Sequence, residues 1–317
     1  LQDKTIQVIK KRFQNTVAES RIALPLTAVY ALLVCLAFGL YKDQLWTSFA
    51  LLGISTYLMV ELNNANALIR VYSRMVSCSF LVLALLSKSN FTDVNCGVVQ
   101  VCFIIFYLQL FQTYQDKKAV GHIFYAFLML GIASVFFPQM FFYVPFVWIL
   151  MFTNMLSGSI RTVCASILGL LVPYWLGVVY CLYTGDVDVL ISHFTDIAVF
   201  GKVFDIASLS ISEKILFCFV SLLSLVGIVH FYRNNYKDRI RTRMLFEIFT
   251  IFNLLTILFV LLQPVHFKYL GSILIVSTAP MIGHYISLTN TKWTNLSFYV
   301  ILLASLLITV SNLWMPF

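Results

Sequence analysis

The chain has 317 residues, of which 61% are hydrophobic and only 11% are charged, and it contains 29 phenylalanines. Such a composition leaves too little polar surface to cover a water-soluble globule of this length, so lipid must be the solvent for most of the chain. The net charge of +8 does not indicate nucleic-acid binding, because the basic residues lie beside the ends of apolar segments and form no soluble patch.

The first 21 residues predict an amphipathic helix that lies in the headgroup layer of a membrane. Apolar side chains recur at helical spacing on one face, at Ile6, Ile9, Phe13 and Val17. The basic residues surround the other face, at Lys4, Lys10, Lys11 and Arg12. A helix with these two faces binds at a lipid surface without crossing it.

The rest of the chain is dominated by apolar runs of helix length. A membrane-spanning backbone must satisfy its own hydrogen bonds, and these runs are too long and too continuous for barrel strands. We therefore predict an all-α fold, a polytopic transmembrane helical bundle of about 11 spans. The predicted spans are residues 22–41, 45–62, 68–86, 94–113, 121–137, 140–156, 162–183, 213–232, 243–262, 268–289 and 295–314.

One long segment divides these spans into a seven-span region, 22–183, and a four-span region, 213–317. We predict that this segment, 184–212, lies outside the membrane and contains an amphipathic helix capped by Thr184 or Asp186. Its apolar stripe comprises Val187, Leu190, Ile191, Phe194 and Ala198 and is expected to end at Gly201. Ser210 and Glu213 then form a capping-box pattern before the eighth span.

The basic residues are strongly biased towards one side of the predicted membrane. With a cytoplasmic N-terminus and an external C-terminus, the predicted spans leave five basic residues outside, Lys42, Lys88, Lys202, Lys214 and Lys268, and the other 16 inside. This distribution follows the positive-inside rule and predicts the orientation of the chain.

Two cytoplasmic segments are candidates for binding a phosphate or a lipid headgroup. Arg70 and Arg74 are four residues apart, a spacing that places them on one helical face, where they either hold a phosphate or anchor a polar turn. The second segment carries Arg233, Lys237, Arg239, Arg241 and Arg243. It is either a stop signal that contacts anionic headgroups or a docking site for an acidic cytoplasmic partner.

Few polar residues are expected deep in the bundle. His284 and Asn253 are the deepest strongly polar candidates, and a transporter would ordinarily keep a charged residue there. Pro145, Pro173 and Pro280 fall inside predicted spans, where a proline frees backbone carbonyls and kinks the helix.

Acidic residues outside the membrane offer an alternative chemistry. Asp186 and Asp188 form a short acidic pair that either holds a divalent cation or, through Asp186, caps the external helix. The cysteines show no spacing typical of a metal site. We predict that the protein binds no metal and no cofactor.

The most characteristic part of the sequence is KAVGHIFYAFLMLGIASVFFPQMFFYVPFVWILMF. It is followed by SGSIRTVCASILGLLVPYWLGVVY and preceded by NNANALIR. Over about residues 60–185 the chain resembles an uncharacterised family of polytopic inner-membrane proteins of Bacteroidota, a domain of unknown function. The resemblance implies a multi-pass protein of the bacterial inner membrane and no particular activity.

The hairpin from Leu128 to Leu150 is also similar to the middle spans of GT-C glycosyltransferases, which use polyprenyl-phosphate sugars. Those enzymes place an essential acidic residue in a long first external loop, and Asp43 stands near the matching position. In this chain that loop is only Lys42 to Gln44, so the resemblance reaches the scaffold and not the loop helices.

Three functions remain open from the sequence. The leading hypothesis is a non-enzymatic inner-membrane subunit of a larger envelope assembly, such as export or cell-surface biogenesis machinery, with membrane lipids and other proteins as partners. The alternative is a GT-C-like transferase on lipid-linked sugars, with Asp43, Asp186 and Asp188 as acidic residues. The third is a small-molecule transporter built on the helices that Pro173 and Pro280 break.

Overall fold

The computed structural model describes residues 12–185 and 187–314, and these residues form helices and connecting turns without a β-strand. In chain order the α-helices are α1 (Phe13–Glu19), α2 (Ala23–Ala37), α3 (Trp46–Asn66), α4 (Met75–Ala84), α5 (Lys88–Thr92), α6 (Val94–Phe111), α7 (Val120–Phe136), α8 (Val144–Thr153), α9 (Ile160–Thr184), α10 (Val187–Asp196), α11 (Ile211–Asn234), α12 (Ile240–Leu262), α13 (Phe267–Leu288) and α14 (Lys292–Trp314). The all-α prediction is confirmed.

Six segments of the described chain are helical, long and apolar enough to cross a membrane. They are 94–111, 160–184, 211–237, 240–262, 264–288 and 292–313. A seventh is added if α1 and α2, which meet at a 90° bend, count as one broken span. The structure therefore supports a multi-pass membrane protein, while the larger predicted number of crossings is not established by helix length and composition.

Two predicted spans are much shorter as helices. The third, 68–86, contains only the 10 helical residues of α4, because α3 ends at Asn66 and Ala67 adopts a left-handed conformation with φ of 45°. The sixth, 140–156, is a 3₁₀ turn, Pro138–Tyr143, followed by the 10 residues of α8. At about 1.5 Å per residue, neither α-helix alone reaches across a hydrocarbon core of about 30 Å.

α13 is the centre of the bundle. In its most apolar window 94% of the residues are buried, and α1, α4, α6, α11 and α12 all pack against it. Aromatic rings fill the space beside it: Tyr107 contacts Phe249 and Phe252 at centroid separations of 4.8 and 5.5 Å. Edge-to-face ring packing of this kind adds to the dispersion energy of the core.

Small residues allow α7 and α9 to approach closely. A Cβ atom on Gly169 would lie 2.5 Å from the backbone oxygen of Phe124, and one on Gly131 would lie 3.0 Å from the backbone oxygen of Leu170. Close backbone contact is a common way for helices to associate in lipid. Pro173 lies inside α9 and Pro280 inside α13, as predicted, whereas Pro145 lies in the first turn of α8, where it interrupts no helix.

The ends of the bundle differ in charge. The turns at one end of the bundle, here called the basic end, are joined by hydrogen bonds. These link Gln14 to Ile286, Ser73 to Ser287, Arg241 to both Asn66 and Phe111, and Ser159 to Lys117. The described lysines and arginines lie at this end except for five, Lys42, Lys88, Lys202, Lys214 and Lys268. The described structure thus separates the same basic residues that the predicted topology separates.

The N-terminal helix is described only from residue 12, so Lys4, Ile6, Ile9, Lys10 and Lys11 lie outside the described residues. The part that is described, α1, buries Gln14, Asn15 and Ala18 against the end of α13. Of the predicted apolar face, Phe13 is half exposed and stacks on Tyr299 of α14. The amides of α1 therefore dock on the bundle, which the apolar pattern did not indicate.

Candidate functional site

A buried ion pair lies at the basic end of the bundle. Asp238, between α11 and α12, directs one carboxylate oxygen to Nε2 of His284 at 3.0 Å and the other to an Nη of Arg70 at 3.6 Å. The side chains of Asp238 and His284 are 3% and 1% exposed, whereas that of Arg70 is 40% exposed. A carboxylate buried this deeply is tolerated because both of its oxygens face partners.

The short loop that carries Asp238 is fixed by this burial. After α11 the chain makes one 3₁₀ turn, Asn235–Lys237. The backbone of Asp238 is extended and leads into α12. Arg70 also donates a hydrogen bond to the backbone oxygen of Lys237 at 3.3 Å. Asp238 and its neighbour on the chain are thus bound by two elements, α13 and the α3–α4 connection.

The ring of His230, on α11, lies beside the ring of His284. Its centroid lies 5.4 Å from that of His284, and the ring of Phe246 covers His284 at 4.7 Å. Among the described residues, the Nδ1 atoms of both histidines are buried without a hydrogen-bond partner. Ionisable side chains that are buried within membrane-spanning helices are uncommon and mark candidate functional sites.

Two concave spaces border the network. One is a cavity of about 210 Å³ beside Asp238, lined by Arg70, Lys237, Arg239 and Thr242 together with residues 67–69. The other is a groove of about 760 Å³ between α11, the end of α13 and the start of α14. Lys237 contributes to both spaces, so the two are neighbours at the basic end.

The predicted phosphate-binding residues have different roles in the structure. Arg74 and Arg70 are not on one helical face, because residues 67–74 are not helical and α4 begins only at Met75; that prediction is wrong. Arg74 instead donates to the side-chain oxygen of Asn64 at 3.2 Å. Arg70 belongs to the buried ion pair.

The basic residues of the segment 233–243 also differ in their contacts. Arg241 donates to the side-chain oxygen of Asn66 at 3.1 Å and to the backbone oxygen of Phe111 at 3.2 Å. These bonds connect the start of α12 to the ends of α3 and α6. Arg243 is partly buried. Arg233, Lys237 and Arg239 remain exposed and available to a ligand or a partner.

The deepest polar cluster is satisfied internally. Asn253, fully buried, donates to the backbone oxygens of Phe249 and Ser277 at 2.9 and 3.0 Å and accepts from Thr278 at 2.8 Å. The hydroxyls of Ser277 and Tyr107 are also hydrogen bonded, at 2.8 Å. Because these groups satisfy one another, we assign this cluster to helix packing.

The acidic residues of the transferase hypothesis are not assembled into a centre. Asp43 is exposed in the turn after α2, with its carboxylate against Gly39, and Asp188 is exposed on α10. Asp186 lies outside the described residues. Within the described ranges, no group of three or more His, Cys, Asp or Glu side chains is placed to hold a metal ion.

The segment 184–212, predicted to lie outside the membrane, is docked on the opposite end of the bundle. Gln139 donates to the backbone oxygen of Asp196 at 2.9 Å, and Gly201 donates to the side-chain oxygen of Gln263 at 2.8 Å. The predicted helix exists as α10 but ends at Asp196, before Gly201. Val187 and Leu190 of its predicted stripe have side chains outside the described structure, and the capping box of Ser210 and Glu213 is confirmed.

His193 joins this segment to the bundle. Its Nε2 atom lies 3.2 Å from the hydroxyl of Tyr174, which also bonds the hydroxyl of Ser134 at 2.7 Å. Burial lowers the pKa of His193, although the carboxylate of Asp196 acts in the other direction.

Sequence reasoning missed Asp238 and His230. Asp238 is the only acidic residue in the basic segment 233–243, and an acid among five bases is a sign of an internal partner. His230 lies one turn before Arg233 on a helix, which places both on one face. His284 was identified as deep, but its partners come from other parts of the chain.

No protein-family model, curated protein or solved structure matches this chain. The resemblances to the Bacteroidota family and to GT-C glycosyltransferases therefore stay predictions.

Proposed function

We propose that this protein is a non-enzymatic integral membrane subunit of a larger bacterial envelope assembly. In this proposal the helical segments from α2 to α14 make about 11 alternating passes, with α4 and α8 as short passes inside the bundle. The basic end faces the cytoplasm. The separation of the described basic residues supports this orientation, because cytoplasmic ends of membrane proteins carry the excess of lysine and arginine.

The observation that carries the proposal is the buried position of Asp238. Its contacts with Arg70 and His284 hold the α11–α12 loop in one conformation, while Lys237 and Arg239 beside it remain exposed. A loop that merely contacts headgroups needs no such anchor. A fixed basic surface suits an acidic protein partner, because little conformational entropy is lost on binding.

Electrostatic complementarity of this kind acts chiefly on specificity and association rate. Exposed charges at the rim of an interface steer an oppositely charged partner and reject one of like charge. We therefore expect the partner to present a cluster of aspartate and glutamate residues to Lys237 and Arg239. The external segment 184–212 provides a second surface at the opposite end for the same assembly.

Purification from native membranes tests the function. We expect proteins to co-purify stoichiometrically with the tagged chain in mild detergent, as mass spectrometry of the eluate will show. Charge reversal by Arg239→Glu is expected to reduce their yield by about tenfold, the effect of about 1.4 kcal/mol on binding. Arg161→Glu, the same change at an exposed position of the same end, serves as the control.

Two results would contradict this function. One is a tagged protein that elutes alone under conditions that preserve known membrane complexes of the host, and that turns over a lipid-linked sugar by itself. The other is an equal loss of partners in Arg239→Glu and Arg161→Glu, which would mean that net charge and not the α11–α12 loop determines association.

Site-directed labelling tests the orientation. A cysteine placed at Lys202, in the external segment, is expected to react with a membrane-impermeant maleimide in intact spheroplasts. A cysteine at Arg239 is expected to react only after the membrane is permeabilised, because the basic end faces the cytoplasm. The background for both variants lacks the exposed Cys164 and Cys218. Labelling of both positions from the same side would exclude an odd number of passes between the segments.

A further inference from the structure

The groove beside α11 has an apolar part and a basic part. Leu222, Val226 and Val229 line it along one side of α11, and His230, Arg233 and Lys237 follow at the basic end. The volume is about 760 Å³. No Asp or Glu of the described chain lines the groove, so its charged groups have one sign.

The length of the groove corresponds to one leaflet of a membrane. Leu222 and Arg233 are 11 residues apart on a continuous helix, a rise of about 16 Å. Half of a typical hydrocarbon core is about 15 Å. With Arg233 at the level of the headgroups, Leu222 therefore lies near the middle of the bilayer, and Val226 and Val229 lie between them.

The polar contacts of α14 go to elements other than α11. Asn295 accepts a hydrogen bond from the backbone of Gln14, and Ser297 and Thr309 bond the hydroxyls of Tyr285 and Tyr30 at 2.6 and 2.9 Å. In its apolar window only 17% of α14 is buried. α14 packs against α11 as well, and the groove lies between α11 and the start of α14, at the basic end.

Polar groups opposite the bases complete the headgroup end. Thr289, Asn290 and Thr294 line the groove where α13 turns into α14. His230 lines it from α11, although its Nδ1 atom is buried. A phosphate has several acceptor oxygens and a negative charge, which suits the guanidinium of Arg233, the ammonium of Lys237 and the exposed side-chain amide of Asn290.

We propose that this groove is a binding site for one anionic phospholipid, with an acyl chain along Leu222, Val226 and Val229 and the phosphate beside Arg233 and Lys237. The lipid belongs to the leaflet at the basic end, which is the cytoplasmic leaflet if the orientation proposed above holds. Membrane proteins use basic pockets of this kind between helices for anionic headgroups. The site shares Lys237 with the proposed partner surface and goes beyond it, because Arg233 lines the groove and Arg239 does not.

Lipid retention tests the site with defined lipids. The purified full chain is mixed with phosphatidylglycerol or with phosphatidylcholine of the same acyl chains, and bound lipid is counted by native mass spectrometry. We expect one phosphatidylglycerol per chain and at least tenfold weaker retention of phosphatidylcholine. Arg233→Gln is expected to weaken phosphatidylglycerol retention about tenfold, the effect of losing one charge-assisted hydrogen bond.

A second variant examines the apolar wall. Val226→Trp places a large side chain in the groove and is expected to reduce retention of both lipids. Leu258→Trp on α12, which is also exposed, and Arg161→Gln at the basic end are the matched controls and should bind as the unchanged chain does. Since Arg233 is exposed, Arg233→Gln should fold, and its melting temperature verifies this.

Three outcomes would overturn the lipid site. They are equal retention of the two lipids, retention unaffected by Arg233→Gln, and displacement of phosphatidylglycerol by millimolar inorganic phosphate. A protein adduct from a photo-crosslinker at Val226 would assign the groove to a partner helix instead. The partner experiment remains independent, since a chain that loses its partners in Arg239→Glu but retains lipid separates the two proposals.

Discussion

Replacement of Asp238 by alanine is expected to destabilise the protein by about 2–4 kcal/mol, because it leaves the buried His284 and the guanidinium of Arg70 without their shared carboxylate. The partial exposure of Arg70 limits its share of this loss, since solvent screens that contact. The loop between α11 and α12 should also lose its fixed conformation. Asp238→Asn preserves the shape and is expected to cause a smaller loss.

Thermal unfolding in detergent and limited proteolysis measure the two effects. Asp238→Ala should melt several degrees lower than the unchanged protein and should be cut faster by trypsin after Lys237 and Arg239. Glu61→Ala removes an exposed carboxylate at the same end and is the control. Identical melting and cleavage of the two variants would show that the ion pair neither stabilises the bundle nor fixes the loop.

Gly169→Leu is expected to prevent α7 and α9 from packing at their present distance. Even the Cβ atom of an alanine would lie 2.5 Å from the backbone oxygen of Phe124 and 3.0 Å from the backbone nitrogen of Leu128. Backbone atoms cannot rotate away as a side chain can, so the helices must separate. We expect a loss of about 1–3 kcal/mol for alanine, and more for leucine.

Gly177 of the same helix provides the control. No atom of the described structure lies within 4 Å of a Cβ atom built on it, so Gly177→Ala should be neutral or should stabilise α9 by up to about 1 kcal/mol. The two alanine variants are compared by their melting temperatures in the same detergent. Equal melting temperatures would mean that α7 and α9 do not depend on close backbone contact.

The sequence was sufficient to locate most of the helices, though not the short α5, and it did not give all of their lengths. The apolar runs that became α9, α11, α12, α13 and α14 are local signals, and so is the capping box at Ser210. The end of α3 and the start of α4 depend on the left-handed backbone conformation of Ala67. Alanine does not ordinarily adopt that conformation. Hydropathy across residues 68–86 therefore suggested one helix where the chain makes an extended turn first.

The candidate site depends on contacts between distant residues. Asp238 and His284 are 46 positions apart in the sequence. Arg70 comes from the α3–α4 connection, which is distant from both in the sequence. Charge counting alone made all seven basic residues of the two predicted cytoplasmic segments candidates for binding a phosphate or a headgroup. Only the folded structure distinguishes Arg70, Arg74 and Arg241, which bind residues of other segments, from Arg233, Lys237 and Arg239, which are exposed.

The central position of α13 also has a consequence for how the chain enters the membrane. Among the six long apolar segments it has the lowest mean hydropathy, 1.3, and the highest buried fraction, 94%. A helix of that composition, with Ser277, Thr278 and His284 inside it, is better solvated by protein than by lipid. Its neighbours α1, α4, α6, α11 and α12 all precede it in the chain, so each of them is synthesised before α13.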